Sequence, residues 1–197
     1  VILIQFYLFS VQSQEIKNSN NFTVVIDPGH GGKDPGAVSN GFYEKKIALN
    51  TSLKLGQKLQ DNGINVIYTR DRDKFVNLLE RANIANKSDA QLFISIHCNS
   101  HSSQAYGAET FVLGLHANQR NFEVAKKENS VIFFEDDYES AYAGFDPNNP
   151  ESVIGLTLMQ EEYLDQSIIA ASYIQNGFVN RLNRKNRNIK QAGFIVL

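Results

Sequence analysis

The sequence predicts an α/β fold: one domain on a mostly parallel, twisted sheet with helices on both faces. Three observations predict it. Short, β-branched apolar runs recur at residues 23–26, 65–69, 91–97 and 107–113. Segments of helical periodicity separate the first three, and strands alternating with helices at this spacing imply parallel pairing through crossovers. The chain has 197 residues, 42% of them hydrophobic and 20% charged, enough for one domain with a true core.

The elements follow in order. Thr23–Ile26 reads as a buried strand that breaks into a loop of unusual composition, "DPGHGGKDPGA". Glu44 to about Asn62 reads as a helix. Ala48, Ser52, Leu55 and Leu59 share one stripe, with Leu49 and Leu53 beside it, and Asn62-Gly63 ends it. Asn65–Thr69 is a second strand. Asn77 to about Lys87 is a second helix, opened by the capping-box pair Asn77 and Glu80. "QLFISIH", residues 91–97, is apolar almost throughout and so a central strand. Gly107–Leu113 is a fourth strand. Residues 115–150 break the rhythm: a helix near Asn121–Val131, then an acidic loop holding "FFEDDYES" and "GFDPNNP". Residues 151–183 form a long helical segment, and "GFIVL", 193–197, reads as a last strand.

The first residues are of another kind. Residues 1–11 are apolar, too few to span a bilayer, and match the apolar part of a signal peptide with Val11-x-Ser13 as its cleavage site. This gives a partial signal peptide at 1–13, a linker at 14–22 and a domain at 23–197, with export to the periplasm or cell envelope as the expectation. The formal charge of -2, without an evident basic stripe, argues against a nucleic-acid partner. Cys98 is the only cysteine, so no internal disulfide is possible.

In an open α/β sheet, ligands gather at the carboxyl ends of the strands. His30 lies just past the first strand, His97 at the end of the third, and Glu44 opens the first helix after the glycine-rich loop. Two imidazoles and a carboxylate make the ligand set of catalytic zinc, with a fourth position open. Each residue also has a structural reading: a loop histidine, a satisfied core histidine, and a carboxylate favoured by a helix dipole. Spacing alone does not choose between the readings. Cys98 neighbours His97 and, if the strand continues, points to the other face. His101 and His116 fall in polar loops and receive no role.

Four segments in succession carry a resemblance: "VVIDPGHGGKDPGA", "YEKKIALN", "TRDRDKFVNLLERANIAN" and "LFISIHCNS". They resemble the signatures of the type-3 zinc amidases, N-acetylmuramoyl-L-alanine amidases of cell-wall metabolism, and "QAGFIVL" resembles a later block. The resemblance implies zinc on His30, Glu44 and His97, peptidoglycan as substrate, and hydrolysis of the amide between N-acetylmuramic acid and L-alanine. Arg70, Asp73 and Arg81 match family positions and read as supports for loops and helix packing. The family's general-base glutamate would lie beyond Leu197, so no catalytic residue is assigned within these residues. Neither Glu109 nor Glu135 is assigned that role, and the sequence reads as truncated at both ends.

The insert at about 115–167 has two readings. In some relatives an insert near here lies over the zinc until an activator protein binds, so the acidic residues Glu135, Asp136 and Asp137 are read as a regulatory or substrate-contacting lid. Otherwise it is a solvated excursion. Two further functions compete with the amidase: a catalytically impaired peptidoglycan-binding module, and a zinc peptidase of different specificity.

Overall fold

The computed structural model describes residues 22–99, 106–115, 118–142, 145–153 and 163–197. The signal-peptide expectation, His101 and His116 lie outside the described residues. β1 (Thr23–Pro28) is the middle of a parallel three-stranded sheet, flanked by β4 (Asn65–Tyr68) and β5 (Leu92–Ile96). Val24, Val25 and Ile26 are fully buried, which is what a central strand covered on both faces requires. A two-residue hairpin, β2 (Val38–Ser39) with β3 (Phe42–Tyr43), leads directly into α1 (Glu44–Gln60). α1 buries Ala48, Ser52 and Gly56. α2 (Leu78–Lys87) starts as expected, with Asn77 Oδ1 accepting the Glu80 amide at 2.7 Å.

β6 (Ala108–Leu113) and β7 (Asn186–Ala192) form a separate parallel pair. The last strand therefore falls earlier than its hydrophobicity suggested. "NRNIKQA" makes the ladder, whereas "GFIVL" follows it as a buried turn. Phe194 and Ile195 are buried there in side-chain clusters, not in a strand. Apolar content reports burial; it does not by itself report extended pairing. The helix expected across 151–183 is described as α5 (Leu164–Asn176) continued by one π-turn, Gly177–Arg181. α5 closes over the pair through Gln175, which donates to the Ala108 carbonyl and accepts from Thr110 Oγ1.

The described part of the insert is packed onto the domain and is not a solvated excursion. It contains α3 (Gln119–Asn129), a 3₁₀ segment (Ser130–Phe134) and one short turn, α4 (Tyr138–Ala141). Val131, Ile132 and Tyr142 pack with Leu78 and Ile195 in one core cluster, and Ala125 packs with Ala192 and Phe194 in another. The larger aliphatic and phenyl side chains among these, Leu78, Val131, Ile132, Phe194 and Ile195, each stabilise by about 1.5–3 kcal/mol. Polar ties add direction. Asn121 Nδ2 donates to the Gln191 carbonyl at 3.0 Å and Asn129 Nδ2 to the Gly193 carbonyl at 2.8 Å, while Asn129 Oδ1 accepts the Ile195 amide at 3.0 Å. Glu135 accepts from the Leu78 amide and from the Tyr142 hydroxyl, capping the start of α2.

Candidate metal centre

The loop after β1 is shaped from behind by two buried arginines. Arg81, on α2, donates to the carbonyls of Val76, Pro28 and His30 and to Asp27 Oδ1. Arg70 donates to the carbonyls of Pro28, Gly29, Lys45 and Arg72. Asp27 is enclosed by Arg81, Thr69 and Ser95. Burial pushes its carboxyl up, but Arg81 and the two hydroxyls outweigh burial and hold it below its ordinary range. Asp73 accepts from the Gly32 amide and from Lys45. The supporting roles read for Arg70, Asp73 and Arg81 thus have definite partners. Fixed in this way, His30 adopts φ 61°, a left-handed conformation that costs of order 1–3 kcal/mol in a non-glycine residue.

That conformation turns the imidazole inward. His30 Nδ1 meets Asp34 Oδ2 at 2.7 Å, which leaves Nε2 facing the interior. Such a carboxylate behind a histidine fixes the tautomer a metal ligand needs. Glu44 is the first residue of α1, so the hairpin that starts the helix also places its carboxylate. Oε2 accepts the Ala37 amide at 2.8 Å, and Oε1 accepts the Cys98 amide at 2.6 Å. β5 ends at Ile96, one residue sooner than read from the sequence, so His97 and Cys98 lie past the strand and strand alternation does not govern them. The Cys98 thiol is outside the convergent set, and burial, Glu44 and Glu128 push it up.

Four side chains converge: His30, Glu44, His97 and Glu128. His30 Nε2 lies 3.1 Å from Glu44 Oε1 and 3.5 Å from Glu128 Oε2. His97 Nδ1 lies 3.3 Å from Glu44 Oε1, 3.0 Å from Glu128 Oε2 and 3.1 Å from His30 Nε2. A tetrahedral ion with bonds of about 2.0–2.1 Å to nitrogen and oxygen has ligand–ligand edges of about 3.3 Å. The five measured edges, 3.0–3.5 Å, bracket that value, and all four atoms lie within 4.8 Å of one another. Glu128 Oε2 is buried, with only the two imidazoles beside it, so its charge is met either by a protonated His97 at 3.0 Å or by a cation held among the four groups. The donor set and its spacing fit a zinc-type site.

Close approach is the reason for the bare backbone. A Cβ on Gly29 would lie 2.4 Å from the His97 ring, and one on Gly36 would lie 2.6 Å from His30 and 2.8 Å from Glu44. Electrostatics add a second signature. Burial pulls the His97 imidazole down, but Glu128 and Glu44 outweigh it and push it up to about 10. Burial pushes Glu44 up, and His30 and His97 more than reverse that. Without an ion, protons fill the gap between carboxylates and imidazoles.

The structure thus brings together His30, Glu44 and His97, all three of the residues read as ligands. The sequence reading missed Glu128. It had singled out Glu135, Asp136 and Asp137 in the insert, yet Glu135 is occupied with α2 and Tyr142, and none of the three belongs to the cluster. The available signal was the spacing of Asn121, Ala125 and Glu128, which puts a carboxylate on the buried stripe of α3. Glu109 is not in the cluster either; it meets Lys190, Arg187, Arg120 and Asn99.

Comparison with known proteins agrees with this geometry. The family described as N-acetylmuramoyl-L-alanine amidase matches residues 24–197. The chain is 33% identical over 175 residues to "Uncharacterized protein YqiI" of Bacillus subtilis (strain 168), covering 89% of this chain and 63% of that protein. It is 31% identical over 186 residues to "N-acetylmuramoyl-L-alanine amidase AmiA" of Escherichia coli (strain K12), covering 92% of this chain and 62% of that protein. It therefore spans a little under two thirds of these relatives' length. Among solved structures, the amidase AmiC2 of Nostoc punctiforme superposes with a TM-score of 0.59 at 26% identity, covering 89% of this chain and 72% of that one.

Proposed function

Because the chain belongs to the N-acetylmuramoyl-L-alanine amidase family, we propose that it serves as a zinc hydrolase cleaving the amide between N-acetylmuramic acid and L-alanine in peptidoglycan. The observation that carries the reading is the convergence of His30 Nε2, Glu44 Oε1, His97 Nδ1 and Glu128 Oε2 at tetrahedral spacings. His30, Glu44, His97 and Glu128 would hold the zinc, which would supply Lewis acidity toward a carbonyl and toward water. The chain's own residues do the rest. Asp34 fixes the His30 tautomer, Glu44 is held by the Ala37 and Cys98 amides, and Gly29 and Gly36 let the rings and carboxylate close up.

Glu128 differs from the other three because it comes from the insert. With its carboxylate in the fourth position, the described form is closed, and substrate reaches the centre only when α3 withdraws. This reading supports a regulatory insert and an activator protein that acts on it. The lid is α3 with Glu128, in place of the acidic loop expected from the sequence. Export, as the first 13 residues suggest, would bring the protein to the cell wall. Among the described residues no helix is long and apolar enough to cross a membrane.

Incubation of the zinc-loaded, full-length protein, as wild type and as Glu128→Ala to free the centre, with purified peptidoglycan tests the function; the outcomes are read on the opened variant. New L-alanine amino termini should appear on released stem peptides. Cleavage within the peptide instead would indicate a peptidase, and binding to the wall with no new amino termini would indicate a binding module.

A further inference from the structure

Residues 181–190 carry Arg181, Arg184, Lys185, Arg187 and Lys190 and no acidic residue, in a chain whose net charge is -2. The basic character missed in the sequence becomes local once folded. On the ladder side, Arg187 and Lys190 converge with Arg120 of α3 on one oxygen, Glu109 Oε2. Arg187 Nε lies 3.2 Å and Arg120 3.3 Å from that oxygen. The other oxygen, Oε1, accepts from Asn99 Nδ2 at 2.8 Å. Three cations therefore share one carboxylate, and the carboxylate's remaining capacity is already used. Charge there is left over for a second anion.

The position of this cluster gives that charge a meaning. Asn99 follows His97 by two residues, so Glu109 is tied to the segment that supplies a candidate metal ligand. α3 connects the same two places, with Arg120 at the cationic cluster and Glu128 at the metal centre. The eight-residue separation along a helix is about 12 Å. An extended peptide covers that distance in about three to four residues at 3.3–3.6 Å each. α3 thus lies along a track that begins at the site of amide cleavage and ends at surplus positive charge.

We propose that Lys190 and Arg187 form a subsite for a free carboxylate of the peptide arm of the substrate, about three to four residues from the scissile amide. This rests on the amidase reading above. Glu109 is a positioning residue: it holds both cations side by side, and Asn99 holds Glu109. In the closed form Arg120 shares the cluster, and withdrawal of α3 takes Arg120 away and uncovers Lys190 and Arg187 together with the metal centre. The stem peptide of peptidoglycan carries free carboxylates, which match this chemistry; an arginine beside a lysine binds such a group through charge-assisted hydrogen bonds.

The test uses the zinc-loaded, full-length protein carrying Glu128→Ala, which frees the centre, and two soluble muramoyl-tetrapeptides that differ only in a free or amidated carboxyl at the end of the peptide. The readout is the ratio of kcat/KM between them. This opened protein should favour the free acid at least tenfold, and adding Lys190→Met or Arg187→Met should shrink that preference at least tenfold. Lys190→Arg should restore most of it, which separates lost charge from misfolding. Binding of the free tetrapeptide by calorimetry, in the wild type and in Glu128→Ala, gives a readout that needs no turnover. If neither muramoyl-peptide is cleaved but the tetrapeptide binds and Lys190→Met weakens it tenfold, the amidase reading fails and the subsite stands. If cleavage proceeds with equal preference in all variants, the subsite is refuted and the amidase reading stands. Loss of binding to phosphatidylglycerol vesicles in Lys190→Met, with the ratio unmoved, would make the patch a lipid-facing surface and overturn the proposal.

Discussion

Gly29→Ala isolates the demand that the metal centre places on the backbone. Gly29 is outside the left-handed region, so alanine there suffers no conformational penalty and the effect is purely steric. The added Cβ would lie 2.4 Å from both Cε1 and Nε2 of His97. Carbon atoms pack at about 3.5–4.0 Å, so the ring has to retreat by more than about 1 Å. A metal ligand tolerates displacements of about 0.2 Å. His97 is then lost as a ligand even though its side chain is intact. If a zinc site of about 10–16 kcal/mol is shared among four ligands, the loss is about 2.5–4 kcal/mol, a fall in affinity of roughly 70- to 900-fold. Competition with a chromophoric chelator measures that affinity, and circular dichroism checks the fold. Gly177→Ala is the control, with φ of -60° and open space at its Cβ. A folded Gly29→Ala protein that binds one zinc with wild-type affinity would falsify the account of why the loop is bare.

Three further outcomes are expected. Glu128→Ala removes the fourth side chain and should raise hydrolysis of purified cell wall by tenfold or more without an activator, while zinc remains bound through the other three; unchanged activity would show that α3 is not the obstruction. Arg81→Met leaves Asp27 buried without its cation and frees the His30 carbonyl, so it should cost about 3–5 kcal/mol in urea unfolding; a cost below about 1 kcal/mol would refute its role as the loop's anchor. The metal-free protein should be most stable between the ordinary Glu value of 4.5 and the ordinary His value of 6.5. Glu44 is lowered, so its contribution is present above 4.5 and fades as pH falls; His97 is raised, so its contribution is present below 6.5 and is lost as pH rises through about 10. Zinc should reverse the alkaline decline, because metal binding displaces the same protons. Thermal melts with and without zinc from pH 4 to 10 check both signs.

Much of this was legible in the sequence because the chemistry is local to chain breaks. His30 and Glu44 flank a loop rich in glycine and proline, and His97 ends an apolar strand; each is marked by its immediate neighbours. Glu128 has no such mark. Its role depends on α3 folding back over β7, a long-range packing set by Ala125, Asn121 and Asn129. The 193–197 segment misled for a related reason. It is apolar because Phe194 and Ile195 fill two core clusters, while the ladder is made by the more polar residues before it. Cys98 was set aside by strand alternation, and the strand stops before it, so it fell outside the cluster for a reason the sequence did not supply.

The two asparagines that seat α3 have a consequence for storage and handling. Asn121 and Asn129 occupy the Gln191 and Gly193 carbonyls and the Ile195 amide, much as a neighbouring strand would. Lifting α3 deprives all three peptide groups of those partners and exposes the apolar side chains beneath. Apolar surface uncovered in this way favours association with other molecules. The open form of this protein is therefore also its adhesive form, and a permanently opened variant should have the shorter shelf life at high concentration.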